Sequence, residues 1–285
     1  MASSDESFNI PGAEGEPIAG DVYLPPGLGD PPLLLLIHGF KGFKDWGFFP
    51  WLARAMADAG LAVCAFNLSH CGIQRGQDRF DRLDLFEADT WGKRLHDLSQ
   101  VLLALQEGRL AKNAAPNPAR IGLLGHSAGG ALALMQAARD GRVRSVGTLA
   151  APASSRRLDS PLARGQLREF GHLKVMNTRT RQEMRVGRAF FDELDSDTLD
   201  VPGAAAQLTL PWLIVHGTDD ESVPFEDAQS LLDAAARNPV HGENVKLLSL
   251  EGTGHALGAT HPFTEPGVHL EQAASALTNH FLRTL

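Results

Sequence analysis

Five consecutive aliphatic residues, Leu33 to Ile37, stand between Pro31-Pro32 and His38-Gly39. A strand with one solvated face alternates polar and apolar side chains, and this run does not alternate. It reads as a strand buried on both faces, the pattern of a parallel sheet covered by helices. Strands of similar length are expected at Leu61–Phe66, Ile121–Leu124, Ser145–Leu149, Trp212–Val215 and Val245–Leu250, after a first short one at Asp21–Leu24. Between them lie stretches with helical spacing: Phe49–Ala59, stopped by Gly60, then Trp91–Leu105, Ala131–Ala138, Phe225–Ala236 and His269–Phe281. Strands alternating with helices require crossover connections. The expectation is an α/β chain with a mostly parallel central sheet and helices on both faces. No repeat or low-complexity linker divides the 285 residues, so residues 1–285 are read as a single domain.

One segment breaks the rhythm. From Pro152 to Gln207 the chain turns polar and rich in arginine, with Leu173–Asn177 and Glu183–Val186 flanking Thr178–Gln182 as a hairpin. Residues 152–207 are read as an insertion on the loop end of the sheet, serving either as a lid or as a plain surface excursion. Its arginines (Arg156, Arg157, Arg164, Arg168, Arg179, Arg181, Arg185 and Arg188) either attract a carboxylate-bearing substrate or pair with nearby acids.

Composition removes several function classes. Apolar residues make up 43% and charged residues 21%, so the chain can build a core, and a net charge of −8 argues against a nucleic-acid partner. Cys64 and Cys71, the two cysteines, form no disulfide framework and no CxxC pair. His241, His261, His269 and His280 lack metal-ligand spacing, so neither a metal nor another cofactor is expected. The apolar runs are too short to cross a bilayer, and the opening MASSDESFNIPGAEGEP lacks the basic start and apolar core of a secretory signal. No membrane association and a cytoplasmic location are expected.

The chemistry gathers at strand ends. Gly125-His126-Ser127-Ala128-Gly129-Gly130 links the expected strand Ile121–Leu124 to an alanine-rich stretch. A nucleophilic serine must project from a sharp strand-to-helix turn, and glycines two residues either side let strand and helix approach. The helix that follows aims its first amides at developing negative charge. Such a serine needs a base, and the base needs an orienting acid. The segment Gly252-Thr253-Gly254-His255 supplies His255 after one strand, and Gly217-Thr218-Asp219-Asp220 supplies Asp220, with Asp219 as its rival, after another. An oxyanion hole needs two backbone N–H donors, read here as Ala128, next after the serine, and Phe40, in the turn His38-Gly39-Phe40. Phe40, Phe43, Trp46, Phe48 and Phe49 either line a pocket or pack the next helix. Phe40, Phe43 and Trp46, with His126 beside the serine, are the substrate-contacting candidates. His38 and His216 are read as loop-holding histidines. Asn67, Ser69, His70 and Cys71 form a further strand-end loop that either lines the pocket or packs.

Together these features resemble the α/β-hydrolase family over nearly the whole chain. The turn at His38-Gly39, the GxSxG elbow, the HGxxDxxVP segment at 216–224 and the late GxGH segment all stand in family order. The resemblance puts the acid on Asp220. HGFKGFKDWG and GTGHALGATHPF are similar to a bacterial branch of dienelactone-hydrolase-like and prolyl-oligopeptidase-like hydrolases. The chain departs from dienelactone hydrolases in carrying serine rather than cysteine at 127, and it has no room for the propeller of prolyl oligopeptidases. The insertion is similar in position to the lids of feruloyl and cinnamoyl esterases. The resemblance implies a serine carboxylesterase without a cofactor, acting on a small-molecule ester. An aminopeptidase or dipeptidase, an acyltransferase and a non-catalytic receptor remain open on the same triad.

Overall fold

The computed structural model describes residues 4–27, 29–111, 116–196, 198–238 and 244–285. The chain opens with an antiparallel hairpin, β1 (Glu6–Pro11) and β2 (Pro17–Tyr23), and continues through β3 (Pro32–Ile37), α1 (Phe49–Asp58) and β4 (Ala62–Phe66). Then come α2 (Leu83–Ala88), α3 (Trp91–Gln106), β5 (Asn117–His126), α4 (Ala128–Ala137) and β6 (Val143–Leu149). The insertion follows as α5 (Pro161–Phe170), β7 (His172–Asn177), β8 (Gln182–Gly187) and α6 (Arg188–Leu194), leading into α7 (Val201–Gln207). The chain ends with β9 (Trp212–Gly217), α8 (Phe225–Ala236), β10 (Val245–Leu250) and α9 (Val268–Thr284).

Eight strands form one sheet in the order β1-β2-β4-β3-β5-β6-β9-β10. All neighbours from β4 to β10 are parallel, and among the described strands only β2 runs against the rest, antiparallel to β1 on one side and to β4 on the other. Helices cover both faces. Phe49, Leu52 and Met56 of α1 and Leu277 and Phe281 of α9 pack one face; Leu98 and Leu102 of α3, Leu132 and Leu134 of α4, and Leu231 of α8 pack the other. Every residue of β3 is buried, as its unbroken apolar run requires. Trp212, fully buried at the start of β9, keeps its ring N–H satisfied by donating to Thr148 Oγ1 at 3.0 Å.

Strand order also decides where a site can lie. From β3 the chain steps outward to β4, then returns to the other side of β3 for β5 and proceeds to β6, β9 and β10. The order reverses between β3 and β5. A crevice opens beyond the carboxyl ends of those strands because their connections leave in opposite directions.

Side-chain to backbone bonds help to tie the insertion down. Gln182 makes a two-way amide bond with Phe80, its Oε1 accepting from Phe80 N at 3.1 Å and its Nε2 donating to Phe80 O at 2.7 Å. Glu193 Oε1 accepts from Gly92 N at 2.7 Å. That amide lies in the first turn of α3, where helix geometry leaves it without an internal partner. Helix α7 packs against the sheet-covering layer with α4 and α8, so the part that departs from the layered plan is α5 through α6. Among the described residues no helix is long and apolar enough to cross a membrane.

Candidate active site

The turn after β5 is built by close contact. A Cβ on Gly125 would fall 2.0 Å from the carbonyl oxygen of Gly129, and one on Gly129 would fall 2.3 Å from that of Ile37. With both side chains absent, β5, β3 and α4 meet backbone to backbone. The chain reverses at Ser127 with φ 55° and ψ −130°, a conformation that side chains disfavour. The turn is pinned by Ser127 N donating to Leu149 O and by Gly130 N donating to Ser127 O, both at 2.8 Å. Ala128 opens α4, so its amide sits at the positive end of a helix. The turn after β3 abuts the same point, because a Cβ on Gly39 would stand 2.8 Å from Ser127 Cβ.

Asp220 and His255 lie beyond β9 and β10. His255 Nδ1 is 2.8 Å from Asp220 Oδ2, while Asp220 Oδ1 accepts from the amides of Ser222 and Val223, each at 2.8 Å. The Asp220 side chain is fully removed from water. Burial alone would raise its pKa; the bonds from His216, His255 and the Val223 amide outweigh that and hold the carboxyl well below its ordinary range. A carboxylate at this place makes His255 keep its proton on Nδ1 and its lone pair on Nε2. His216 is buried, donates from Nε2 to Val223 O at 2.8 Å and lies 3.4 Å from Asp220 Oδ2, so it braces the acid loop. Asp219 is exposed, with Oδ1 accepting from Thr218 Oγ1 at 3.1 Å. His126 donates from Nε2 to His255 O at 3.0 Å, and its ring lies 4.8 Å from that of His255. Burial, then the neighbouring His255, push its pKa down to about 3, so His126 stays neutral.

Two chambers flank Ser127, and Ser127, His255, Phe40 and Lys41 line both. The first, about 350 Å³, is walled by Trp91 and Arg94 of α3, by Pro152 and Leu158, and by Phe190 of α6. The second, about 310 Å³, is walled by Trp46, Phe49 and His126 and by Asn177, Thr178 and Arg179 of the hairpin turn. Ala128 faces the first chamber.

The model of the alpha/beta hydrolase family matches residues 34–266. The chain belongs to that family. This hydrolase is 27% identical over 241 residues to an uncharacterized 31.7 kDa protein from the traX-finO intergenic region of Escherichia coli, covering 72% of this chain and 78% of that one. In fold it is similar to Est1E from Butyrivibrio proteoclasticus, solved with ferulic acid bound, with TM-score 0.73 and 20% identity over 97% of this chain and 98% of the other. It is also similar to the esterase domain of a Rhodothermus marinus protein, with TM-score 0.63 and 21% identity over 98% of both chains.

Against the expectations for this hydrolase, the site differs at Phe43. Its ring is 1% exposed and lines neither chamber; the tight turn in which Gly42 N donates to Gly39 O sends it inward, edge-on to His261. Phe40 and Trp46 do face the chambers. Trp91, Arg94 and Phe190 went unread in the sequence. Arg94 is 4% exposed and places Nε and Nη2 on Asp89 Oδ2 at 2.8 and 2.6 Å, its charge seated against the rings of Trp91, Phe40 and Phe190. An acid five residues before a basic residue on the buried side of a helix was the available signal.

Several arginines of the insertion are engaged locally: Arg156 and Arg164 with Asp159 and Asp195, and Arg157 with Asp227. The 67–71 loop is structural, since Asn67 accepts from Lys44 N, and Ser69 N donates to Asp97. His38 bridges Gly39 O and Leu68 N. Cys64 and Cys71 are buried free thiols, and burial pushes the Cys71 thiol up to about 12. His241 lies outside the described residues; among those described, no group of three or more His, Cys, Asp or Glu is placed to hold a metal ion.

Proposed function

We propose that this α/β hydrolase is a serine carboxylesterase working through Ser127, His255 and Asp220. The observation that carries the reading is the conjunction of a serine at positive φ on the crevice with a histidine 2.8 Å from a buried carboxylate, both lining the same two chambers.

In this mechanism His255 Nε2 takes the Ser127 proton as Oγ attacks the ester carbonyl. The amides of Ala128 and Phe40 hold the oxyanion, with the dipole of α4 behind the first. Asp220 stabilises the imidazolium and fixes its tautomer. The imidazolium then protonates the departing alcohol, leaving an acyl-serine. Water activated by the same histidine releases the acid. His126 and His216 position the His255 and Asp220 loops through their carbonyl bonds.

Chambers of similar size on either side of Ser127 support an ester with two substantial halves rather than an acetate. The aromatic wall of the first, Phe40, Trp91 and Phe190, suits a flat acyl group, and the ferulic acid bound to Est1E makes hydroxycinnamoyl esters the first aromatic candidates. The insertion serves as the cap that closes this chamber. The test is a para-nitrophenyl ester series from acetate to decanoate, with a methyl hydroxycinnamate, run on the wild type and Ser127→Ala. Turnover lowered on the order of 10⁶-fold in the variant supports the reading. A variant as active as the wild type, or no ester turned over at all, refutes it.

A further inference from the structure

The two chambers differ in how their positive charges are balanced. In the first, Arg94 is paired with Asp89, and Arg157 with Asp227 at 3.0 Å. In the second, which has no Asp or Glu in its lining, Arg179 has no such partner, and neither has Lys41, which stands where the two chambers meet and lines both. Lys41 Nζ donates to Met176 O at 3.2 Å, and Arg179 Nη2 donates to Asp78 O. Among the described residues, neither forms an ion pair with a carboxylate.

Both cations are held in place. Lys41 Nζ stands 5.8 Å from the ring centre of Phe40, and the Arg179 guanidinium 5.5 Å from that of Phe43. Asn177 Oδ1 accepts from the amides of Arg179 at 3.1 Å and Thr180 at 3.3 Å, bracing the hairpin turn that carries the guanidinium. The Met176 carbonyl that receives Lys41 lies one residue before that turn. Both chains are partly withdrawn from water without a carboxylate in ion-pair contact. Burial lowers the pKa of Lys41 and also that of Arg179, where Asp78 opposes the shift and Arg79 adds to it. The Arg179 charge is felt beyond the chamber wall: after burial, it is the next influence lowering the pKa of His261, which stacks on Trp46. A cation removed from water without a counter-charge is unfavourable, and an incoming anion relieves it.

We propose that the second chamber is an anion subsite, and that the preferred ester carries a carboxylate on the half that enters it. Lys41 and Arg179 hold this carboxylate while the ester carbonyl lies at Ser127. The guanidinium fork matches a planar carboxylate, and the ammonium supplies a second, adjustable donor. Trp46 and Phe49 provide the apolar wall for the carbon skeleton between carboxylate and ester. The proposal rests on the esterase reading for its chemistry but not for its binding step.

The experiment compares matched pairs at low ionic strength. One pair carries the charge on the acyl half: para-nitrophenyl hemiglutarate against the corresponding glutaramate. The other carries it on the alcohol half: para-carboxyphenyl butyrate against para-carbamoylphenyl butyrate. In one of the pairs the wild type is expected to favour the anion by about tenfold or more in kcat/KM, the factor expected for one good charge-assisted contact. Lys41→Met with Arg179→Met should bring that ratio to about one, and Lys41→Arg should retain most of it. No anion preference in either pair, or a preference that survives the double substitution, overturns the proposal. If neither neutral nor anionic esters are turned over, the esterase reading fails separately. Calorimetry with glutarate and para-hydroxybenzoate against their amides then decides the subsite. Carboxylate binding abolished by the double substitution sustains it, and binding absent or unaffected overturns it.

Discussion

Replacing Ser127 by glycine should stabilise the protein while abolishing its activity. Ser127 holds φ 55° and ψ −130°, and a non-glycine residue in such a region costs of order 1–3 kcal/mol. Glycine relieves this cost but makes the unfolded chain freer, an opposing effect of roughly 0.4–1 kcal/mol. The proper reference is Ser127→Ala, which removes the hydroxyl but keeps the Cβ and therefore the strain. Relative to alanine, glycine should gain about 1 kcal/mol, or about 2 °C in Tm for a chain of this size. Paired urea titrations and thermal melts of the two variants measure the difference, and an ester assay confirms that both are inactive. A glycine variant no more stable than the alanine variant would refute the argument that the turn is held against a local preference by the contacts around Gly125 and Gly129.

Asp220→Asn should lower kcat roughly 10⁴-fold by putting His255 in the wrong tautomer, whereas exposed Asp219→Asn should change it little; steady-state kinetics that reverse this order would reassign the acid. Gly129→Ala drives a methyl into the Ile37 and His38 carbonyls, at 2.3 and 2.6 Å, and should destabilise by about 3 kcal/mol or prevent folding; a thermal melt at the wild-type Tm would contradict the packing. Buried His38, His126 and His280 have pKa values pushed down to about 4, 3 and 4, with burial the largest cause in each. The unfolded chain therefore binds more protons below about pH 6.5, and stability should fall as pH drops from there toward 4, by about 1.4 kcal/mol per unit for each histidine fully protonated only when unfolded. Urea midpoints equal at pH 7.5 and 5.0 would show that these histidines are not held neutral.

The central strands were legible where burial on both faces leaves no polar positions, as in β3 and β4, and where a strand ends in or runs into glycine and histidine, as at β3, β5 and β9. Of the opening hairpin only the end of its second strand was legible, as the expected strand Asp21–Leu24. Its first strand has the burial order of an edge strand, half exposed, and is written in residues such as Ser7, Asn9 and Pro11 that favour turns. The structure forms it because β2 gains an antiparallel partner in β4. Strand β5 runs from Asn117, earlier than its apolar part at Ile121 suggests. The short helices α2, α6 and α7 were also unread, since elements of six or seven residues show too few turns for a period to emerge. At the candidate site, Ser127 stood out because it follows β5 directly, and His255 and Asp220 because they lie in the turns beyond β10 and β9, with the family resemblance choosing Asp220 over Asp219. Phe43 and Phe40 could not be separated, since the direction of a ring within a tight turn depends on which backbone atoms the turn bonds. Trp91 and Arg94 reach the first chamber from α3 and Phe190 from α6, far along the chain, and no local pattern joins the two helices.

The residues proposed for chemistry and much of the wall that meets substrate belong to different stretches of chain. Ser127, Asp220 and His255 follow β5, β9 and β10, whereas Leu158, Asn177, Arg179 and Phe190 come from one excursion between β6 and α7. Its flanks are anchored in neighbouring strands, with Val146 opposite Trp212 in the β6–β9 ladder. Such a segment behaves as an exchangeable cassette. Changes in its length or side chains alter which molecules are admitted while leaving the bond-breaking apparatus in register, so new selectivity can arise on this frame without the reaction being rebuilt.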